Sequence, residues 1–165
     1  MTQSKIQFLP YTPMYKDFFL KECKVLEKVL RSNCIDIHHI GSTSIAKISA
    51  VPTLDVLCIA HTLDGISYFE DEFLKLGLSP LKEEAGLERL IFERRTKDDD
   101  VILSRVYIYE KGDPRIDDCL DFRDYLKKNE DAAKRFEASK LEFSADAKSY
   151  QEKKSSLIEI ILEGL

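Results

Sequence analysis

No apolar run in this 165-residue chain approaches the roughly 18 residues that would cross a bilayer, so no membrane-spanning helix is expected. The first residues lack the basic, then apolar, then small-residue pattern of an export signal, and a cytoplasmic location is the expectation. The four cysteines, Cys23, Cys34, Cys58 and Cys119, form no Cys-x-x-Cys pair, and three have apolar neighbours. That pattern suits small buried hydrophobes in a reducing compartment better than metal ligands or bridges. There is no excess of basic charge: at a net charge of −5 the chain has no long-range attraction for nucleic acid, although a local basic pocket remains compatible with that balance. Neither an internal repeat nor a low-complexity linker divides the sequence, and 165 residues suffice to bury a core without disulfides or metals. A single domain over residues 1–165 is expected. Its sheet part runs to about residue 112, and a helical part follows from about 113.

Familiar catalytic sets are missing too. His38 and His39 are adjacent, so a strand sends them to opposite faces, and His61 falls in a loop; three such histidines make no zinc site. Ser42 has His39 ahead of it but no nucleophile elbow around it. His39 reads as a hydrogen-bonding residue beside a turn. The acid run Asp98-Asp99-Asp100 reads as a solvated loop rather than a metal site.

What is present is a regular alternation of elements. Residues 6–9 look like a short strand or an extended lead-in ended by Pro10, and Thr12-Pro13 opens an amphipathic helix to about Arg31 through Met14, Tyr15, Phe18, Val25, Leu26 and Val29. Ile35, Ile37 and Ile40 begin a strand, and residues 53–60 form a second one, apolar on both faces apart from Asp55. Asp64 can cap a helix that ends at Gly77, followed by a short strand at 78–81. Residues 89–95 and 101–109 are two strands of a hairpin, with Arg105, Tyr107 and Tyr109 on one face of the second. Three helices are expected at about 115–128, 131–143 and 148–162. The sum is an α+β sheet with a helical layer packed on it.

The centre of interest is His38-His39-Ile40-Gly41-Ser42-Thr43, with Asp55 on the next strand. Gly41 permits a sharp turn and close approach of a phosphate, and Ser42 and Thr43 offer hydroxyl and amide donors. A carboxylate inside an apolar strand costs several kcal/mol unless it is bonded, paired or metal-bound, so Asp55 needs a reason. The pattern fits either a phosphate turn with a Mg²⁺-binding acid or a plain turn between two strands.

These residues, together with Phe122-Arg123-Asp124-Tyr125-Leu126, Ser139-Lys140-Leu141 and residues 150–154, resemble the GrpB family, also called UPF0157. The likeness runs from about residue 6 to the C-terminus. It implies a nucleotidyltransferase-like fold, in which a mixed β-sheet with flanking helices and a C-terminal helical layer holds a Gly-Ser turn against phosphates. Carried over, it makes Asp55 the candidate catalytic and Mg²⁺-binding acid. Gly41, Ser42, Thr43, Arg105, Tyr107, Arg123, Lys140 and Lys154 become candidates for binding a nucleotide or other anionic small molecule. Arg123, Lys140 and Lys154 read equally well as helix-surface residues. The chain departs from the family pattern at Ala46 and Lys47, where proline and glycine are usual, at Val51, where a lysine is usual, and at Arg105 and Tyr107, where histidines are common. The second acid of an Asp-x-Asp pair is Leu57 here, leaving Glu93 and Glu110 as weaker candidates. The resemblance implies Mg²⁺-dependent transfer of a nucleotidyl or phosphoryl group from a nucleoside triphosphate to an unknown acceptor. The alternative is a catalytically reduced anion-binding module with a regulatory or partner role. Nothing in the sequence sets the oligomeric state.

Overall fold

A computed structural model describes residues 5–82 and 89–165. Helix α1, Met14–Leu30, starts after Thr12-Pro13, with the Met14 amide donating to Thr12 Oγ1 at 3.3 Å. Its apolar stripe, including the fully buried Leu26 and Val29, lies against the sheet, and Arg31 ends it in a left-handed conformation. Strand β1, Cys34–Ile40, then leads through Gly41 and a short 3-10 turn, Ser42–Ser44, towards β2, Leu54–Ala60. Of the two expectations for residues 6–9 the lead-in holds: a single bridge joins Leu9 to Ala50, and Pro10 lacks the amide that would continue a ladder.

The helix expected after Asp64 is split. Gly65, at φ +77°, precedes a 3-10 turn, Ile66–Phe69, and α2 spans only Glu70–Lys75. Gly77, at φ +85°, closes α2 as anticipated, with the Gly77 and Leu78 amides donating back to Leu74 and Phe73. Strands β3, Ser79–Leu81, β4, Arg89–Arg95, and β5, Ile102–Glu110, complete a five-stranded sheet of order β1-β2-β5-β4-β3. The pair β2 and β5 is parallel and the other three pairs are antiparallel, making the sheet mixed. The Asp98–Asp100 stretch is an exposed connection in which Arg95 pairs with Asp100.

Period-two alternation sorts the side chains. Leu54, Val56, Cys58 and Ala60 of β2, with Val106 and Ile108 of β5, form the core under α1 and α2. Leu57, Ile59, Tyr107 and Tyr109 point to the other face, where α3, Pro114–Lys128, brings Ile116 and Leu120 against them. Asp113 caps α3 by accepting from the Arg115 amide at 2.9 Å, with Pro114 at the first helical position. Helices α4, Glu130–Phe143, and α5, Tyr150–Glu163, pack with α3 around Leu126, Ala133 and Phe136. Ile45 and Ile48, from the segment between the Gly41 turn and β2, insert into that same cluster. The helical layer is thereby docked on the turn, which decides where α4 and α5 place their lysines.

The cysteines are all free; Cys58 is buried and the other three are half-buried. Among the described residues, no helix is long and apolar enough to cross a membrane.

Candidate functional site

The turn follows from register. β1 and β2 pair with Ile40 opposite Asp55, so Gly41, the first residue past β1, passes directly over the Asp55 side chain. Its φ of +72° is a left-handed value, and a Cβ there would lie 2.5 Å from Asp55 Oδ2. Glycine is therefore required twice at this position, by conformation and by space. After it, the Ser44 and Ile45 amides bond back to the Gly41 and Ser42 carbonyls, and Ser44 Oγ donates to Gly41 O at 2.6 Å. A 3-10 turn of this kind uses none of its first amides internally, which leaves those of Ser42 and Thr43 outside its own bonding.

Thr43 is buried, and its hydroxyl is 2.8 Å from His39 Nε2. Burial first, then the charges of Lys127 and Arg123, push the His39 pKa down to about 4, so the ring is neutral near pH 7. The ring stacks on Phe19 with centroids 5.4 Å apart, which holds it in place beside the Thr43 hydroxyl.

Across the sheet the same level carries a row of polar side chains. Asp55 of β2 lies opposite Arg105 of β5, and Arg105 opposite Glu93 of β4. Arg105 donates to Glu93 Oε1 from Nε at 2.9 Å and Nη2 at 2.7 Å, while Arg95 Nε reaches Oε2 at 2.9 Å. Burial alone would raise the Glu93 pKa, but the hydrogen bonds from Arg105 and Arg95 outweigh it and hold the carboxyl below its usual range. Glu93 is therefore a committed counter-ion with two guanidinium partners. Glu110 sits at the far end of β5, where it accepts from the Leu63 amide at 3.1 Å. The Asp55 carboxyl is shifted upward by burial, against the opposing pull of Lys154, Arg105 and Lys140.

A cavity of about 220 Å³ opens over this row. Ser42, Thr43, Asp55, Arg105 and Tyr107 line it from the sheet side, and Lys140 of α4 and Lys154 of α5 from the helical side. Lys140 is only 1 % exposed; its Nζ donates to Ser42 Oγ at 2.7 Å and lies 5.0 Å from the centre of the Phe136 ring. Burial, then repulsion by Lys154, lowers its pKa to about 8, with Glu137 and Asp55 pulling the other way. Burial, with the nearby Asp55 charge, raises the Tyr107 hydroxyl to about 12, leaving it a neutral donor.

Of the residues singled out in the sequence, Arg123 is not brought to the cavity. Its Nε donates to Asp124 Oδ1 at 2.8 Å and its Nη1 to the His39 carbonyl at 3.3 Å, which ties α3 to β1 instead. Lys47 does not reach the cavity either, since its ammonium faces Glu130 at 3.4 Å and is largely exposed. The lining also includes Val51, Thr53, Ile102, Tyr150 and Gln151. Thr53 was available from its position two residues before Asp55 on the same strand face. Nothing in the local pattern marked Gln151 or Ile102. Among the described residues, no group of three or more histidine, cysteine or acidic side chains is arranged to hold a metal ion.

A family model described as "GrpB protein" matches residues 5–164. The chain is 31 % identical over 141 residues to "UPF0157 protein YqkA" of Bacillus subtilis (strain 168), and that match takes in 86 % of this chain and 40 % of the relative. It is 25 % identical to "Glutamate-rich protein GrpB" of Alkalihalophilus pseudofirmus, across 98 % of this chain and 97 % of that one. A crystal structure of the conserved protein GrpB from Enterococcus faecalis superposes with a TM-score of 0.84 at 25 % identity, covering 96 % of each chain. The Cid1 poly(U) polymerase with MgGTP bound superposes at a TM-score of 0.52 and 14 % identity, over 81 % of this chain and 42 % of that one, a likeness of fold alone. The architecture is that of a nucleotidyltransferase-like α+β fold.

Proposed function

This chain belongs to the GrpB family, and from that premise we propose that its cavity binds the phosphate group of a nucleotide or another phosphorylated small molecule. The observation that carries the reading is the pairing of Lys140 with Ser42, at 2.7 Å, inside a cavity that Lys154 and Arg105 also line. Two lysines from the helical layer and a hydroxyl-bearing turn converge on one small space, where a phosphate's charge and acceptor oxygens are matched. Arg105 supplies further positive potential even though Glu93 shares its charge. Lys140 is the most informative group, because an ammonium so deeply buried is costly without an anion and becomes favourable when one arrives.

The reading extends to chemistry through Asp55. Mg²⁺ is held in many phosphate sites by one or two carboxylates plus the substrate's own oxygens. In this cavity Asp55 is the carboxylate that would hold such an ion. The ion, when bound, would neutralise phosphate charge and polarise the phosphorus–oxygen bonds. Two-metal transfer does not suit these residues, since Leu57 occupies the second acid position and Glu93 is committed to Arg105 and Arg95. Turnover as a nucleotidyl or phosphoryl transferase is therefore the second reading, favoured by the position of Asp55 under the turn of a nucleotidyltransferase-like sheet.

A titration panel of pyrophosphate, nucleoside triphosphates and coenzyme A-type phosphates, with and without Mg²⁺, separates the two. A bound ligand raises the melting temperature in step with the logarithm of its concentration. Stabilisation lost in Lys154→Gln but retained without Mg²⁺ and in Asp55→Asn supports phosphate binding. Mg²⁺-dependent stabilisation lost in Asp55→Asn, with release of pyrophosphate or nucleoside diphosphate, supports transfer. A panel that leaves the melting temperature unmoved overturns both.

A further inference from the structure

The opposite face of the sheet carries a second and larger cavity, of about 650 Å³, between α1 and the ends of β2, β4 and β5. Its walls are apolar: Tyr15, Phe18 and Val25 from α1, Leu54 from β2 and Leu103 from β5. Phe18 and Leu103 are both more than 40 % exposed, so this apolar surface is open to entry. A space of this size, walled by hydrophobic side chains around a few polar groups, is the usual form of a small-molecule site.

The polar groups form one cluster. Glu22 is buried in α1; it accepts from Arg94 Nε at 2.5 Å and Nη2 at 3.1 Å, and from Ser104 Oγ at 3.0 Å. Arg94 Nη1 donates to the Leu76 carbonyl at 2.7 Å. A guanidinium carries five N–H donors, so these three bonds leave two for another acceptor. Lys21 also lines the cavity, with its ammonium 5.7 Å from the centre of the Phe18 ring. The charged lining is thus Lys21 and Arg94 against Glu22, a surplus of one positive charge beside an apolar wall.

We propose that this cavity is a second ligand site, distinct from the Asp55 cavity, and that it takes a small amphipathic anion whose apolar body packs on Val25, Leu54 and Leu103 while its anionic group meets Arg94 and Lys21. Charge complementarity selects the class: an anion balances the surplus, a neutral amphiphile leaves it uncompensated, and a cation adds to it. The two cavities lie back to back, because Leu54 and Ser104 face one side of the same strands that turn Asp55 and Arg105 to the other.

Decanoate and 1-decanol, equal in chain length and different in charge, are the probes, titrated calorimetrically into the intact chain. Saturable one-to-one binding of decanoate, about ten-fold tighter than decanol, is expected. Lys21→Glu should weaken decanoate about ten-fold and leave decanol unchanged, while Leu103→Asp abolishes both. Leu103 is exposed enough that this variant should retain its fold, checked by an unchanged melting temperature. Lys154→Gln, on the other face, should leave decanoate binding intact. The proposal is overturned if decanoate does not saturate, if it binds no better than decanol and ignores Lys21→Glu, or if Lys154→Gln removes it. It is overturned as well if the chain is a dimer in solution that Leu103→Asp splits, since the apolar face would then serve self-association.

Discussion

The Asp55 carboxylate fills the space that a side chain on residue 41 would need: a Cβ built on Gly41 falls 2.5 Å from Asp55 Oδ2. The sharp turn and the buried acid are therefore one feature. Gly41→Ala should destabilise the protein by about 2–4 kcal/mol, combining left-handed backbone strain with overpacking. In Gly41→Ala combined with Asp55→Ala the contacts with Oδ2 and Cγ are removed and only the 3.1 Å approach of the residue 55 Cβ is left, so the penalty of the glycine substitution should fall to about 1–2 kcal/mol. Urea unfolding of the two single variants and the double variant measures the coupling, and additivity would refute a steric relation.

Lys140 makes stability depend on pH. Its folded pKa of about 8 lies below the ordinary lysine value of 10.5, so between those values the unfolded chain binds more protons than the folded one. Stability linked to this group therefore rises as pH increases from about 8 towards 10.5, and its full penalty is present below 8. The slope is bounded by about 1.4 kcal/mol per pH unit. Lys140→Met should remove this rising component between pH 7.5 and 9.5, measured by denaturant melts of the variant against the parent chain. It should leave the opposite fall from Cys23, Cys119 and Cys58, whose thiols are held above their ordinary value, Cys23 and Cys119 by burial and Cys58 by its contact with Cys34 and then burial. A profile unchanged by the substitution would locate the dependence elsewhere.

The same ionisation acts on the ligand with the opposite sign. An anion binds best while Lys140 is charged, so pyrophosphate affinity should fall as pH rises through about 8. Lys140→Arg, which keeps its charge throughout this range, should lose that fall while weakening binding, since a guanidinium does not reproduce the bonds of the ammonium to Ser42 Oγ and the Ser49 carbonyl. Calorimetry at pH 7 and 9 on both proteins tests it.

Val51 lines the cavity at a position where the family resemblance implies a lysine. If the cavity binds phosphate as proposed, Val51→Lys should add a cation to it and tighten pyrophosphate binding about ten-fold, with the gain shrinking at high salt. An affinity insensitive to the substitution would mean that position 51 does not face the ligand.

Lys47 occupies a left-handed conformation, φ +72°, at a position where the family resemblance implies glycine. Its ammonium meets Glu130 in an exposed pair worth little. Lys47→Gly should therefore stabilise the protein by about 0.5–1 kcal/mol, the relief of backbone strain exceeding the loss of the surface contact. A lower thermal midpoint would reverse this assignment of strain.

The local signals that were legible were those with a short-range physical cause. The α1 stripe, the Asp113-Pro114 start of α3 and the Gly77 close of α2 each follow from capping or periodicity within a few residues. Expectation and structure diverge where a distant or weaker element decides. The segment after Asp64 breaks at Gly65 into a 3-10 turn before a short helix, and residues 6–9, open between strand and lead-in, become a lead-in because only Ala50 pairs with them. Arg123 belongs to a motif of the family resemblance, yet its bond to the His39 carbonyl spends it on joining α3 to β1.

By itself the sequence pointed to the turn and the acid: Gly41 because glycine permits a sharp turn between two strands, and Asp55 because a carboxylate in an apolar strand demands a partner. It also determined that Leu57 withholds a second acid from the same strand face, since period-two alternation is local. Only the tertiary structure decided what surrounds them. Register placed Arg105 between Asp55 and Glu93, and so made Glu93 a counter-ion rather than a ligand. Docking of the helical layer through Ile45 and Ile48 brought Lys140 and Lys154, about a hundred residues away in the chain, over the turn. Helical periodicity names the buried face of such a helix, but not the element it will be buried against.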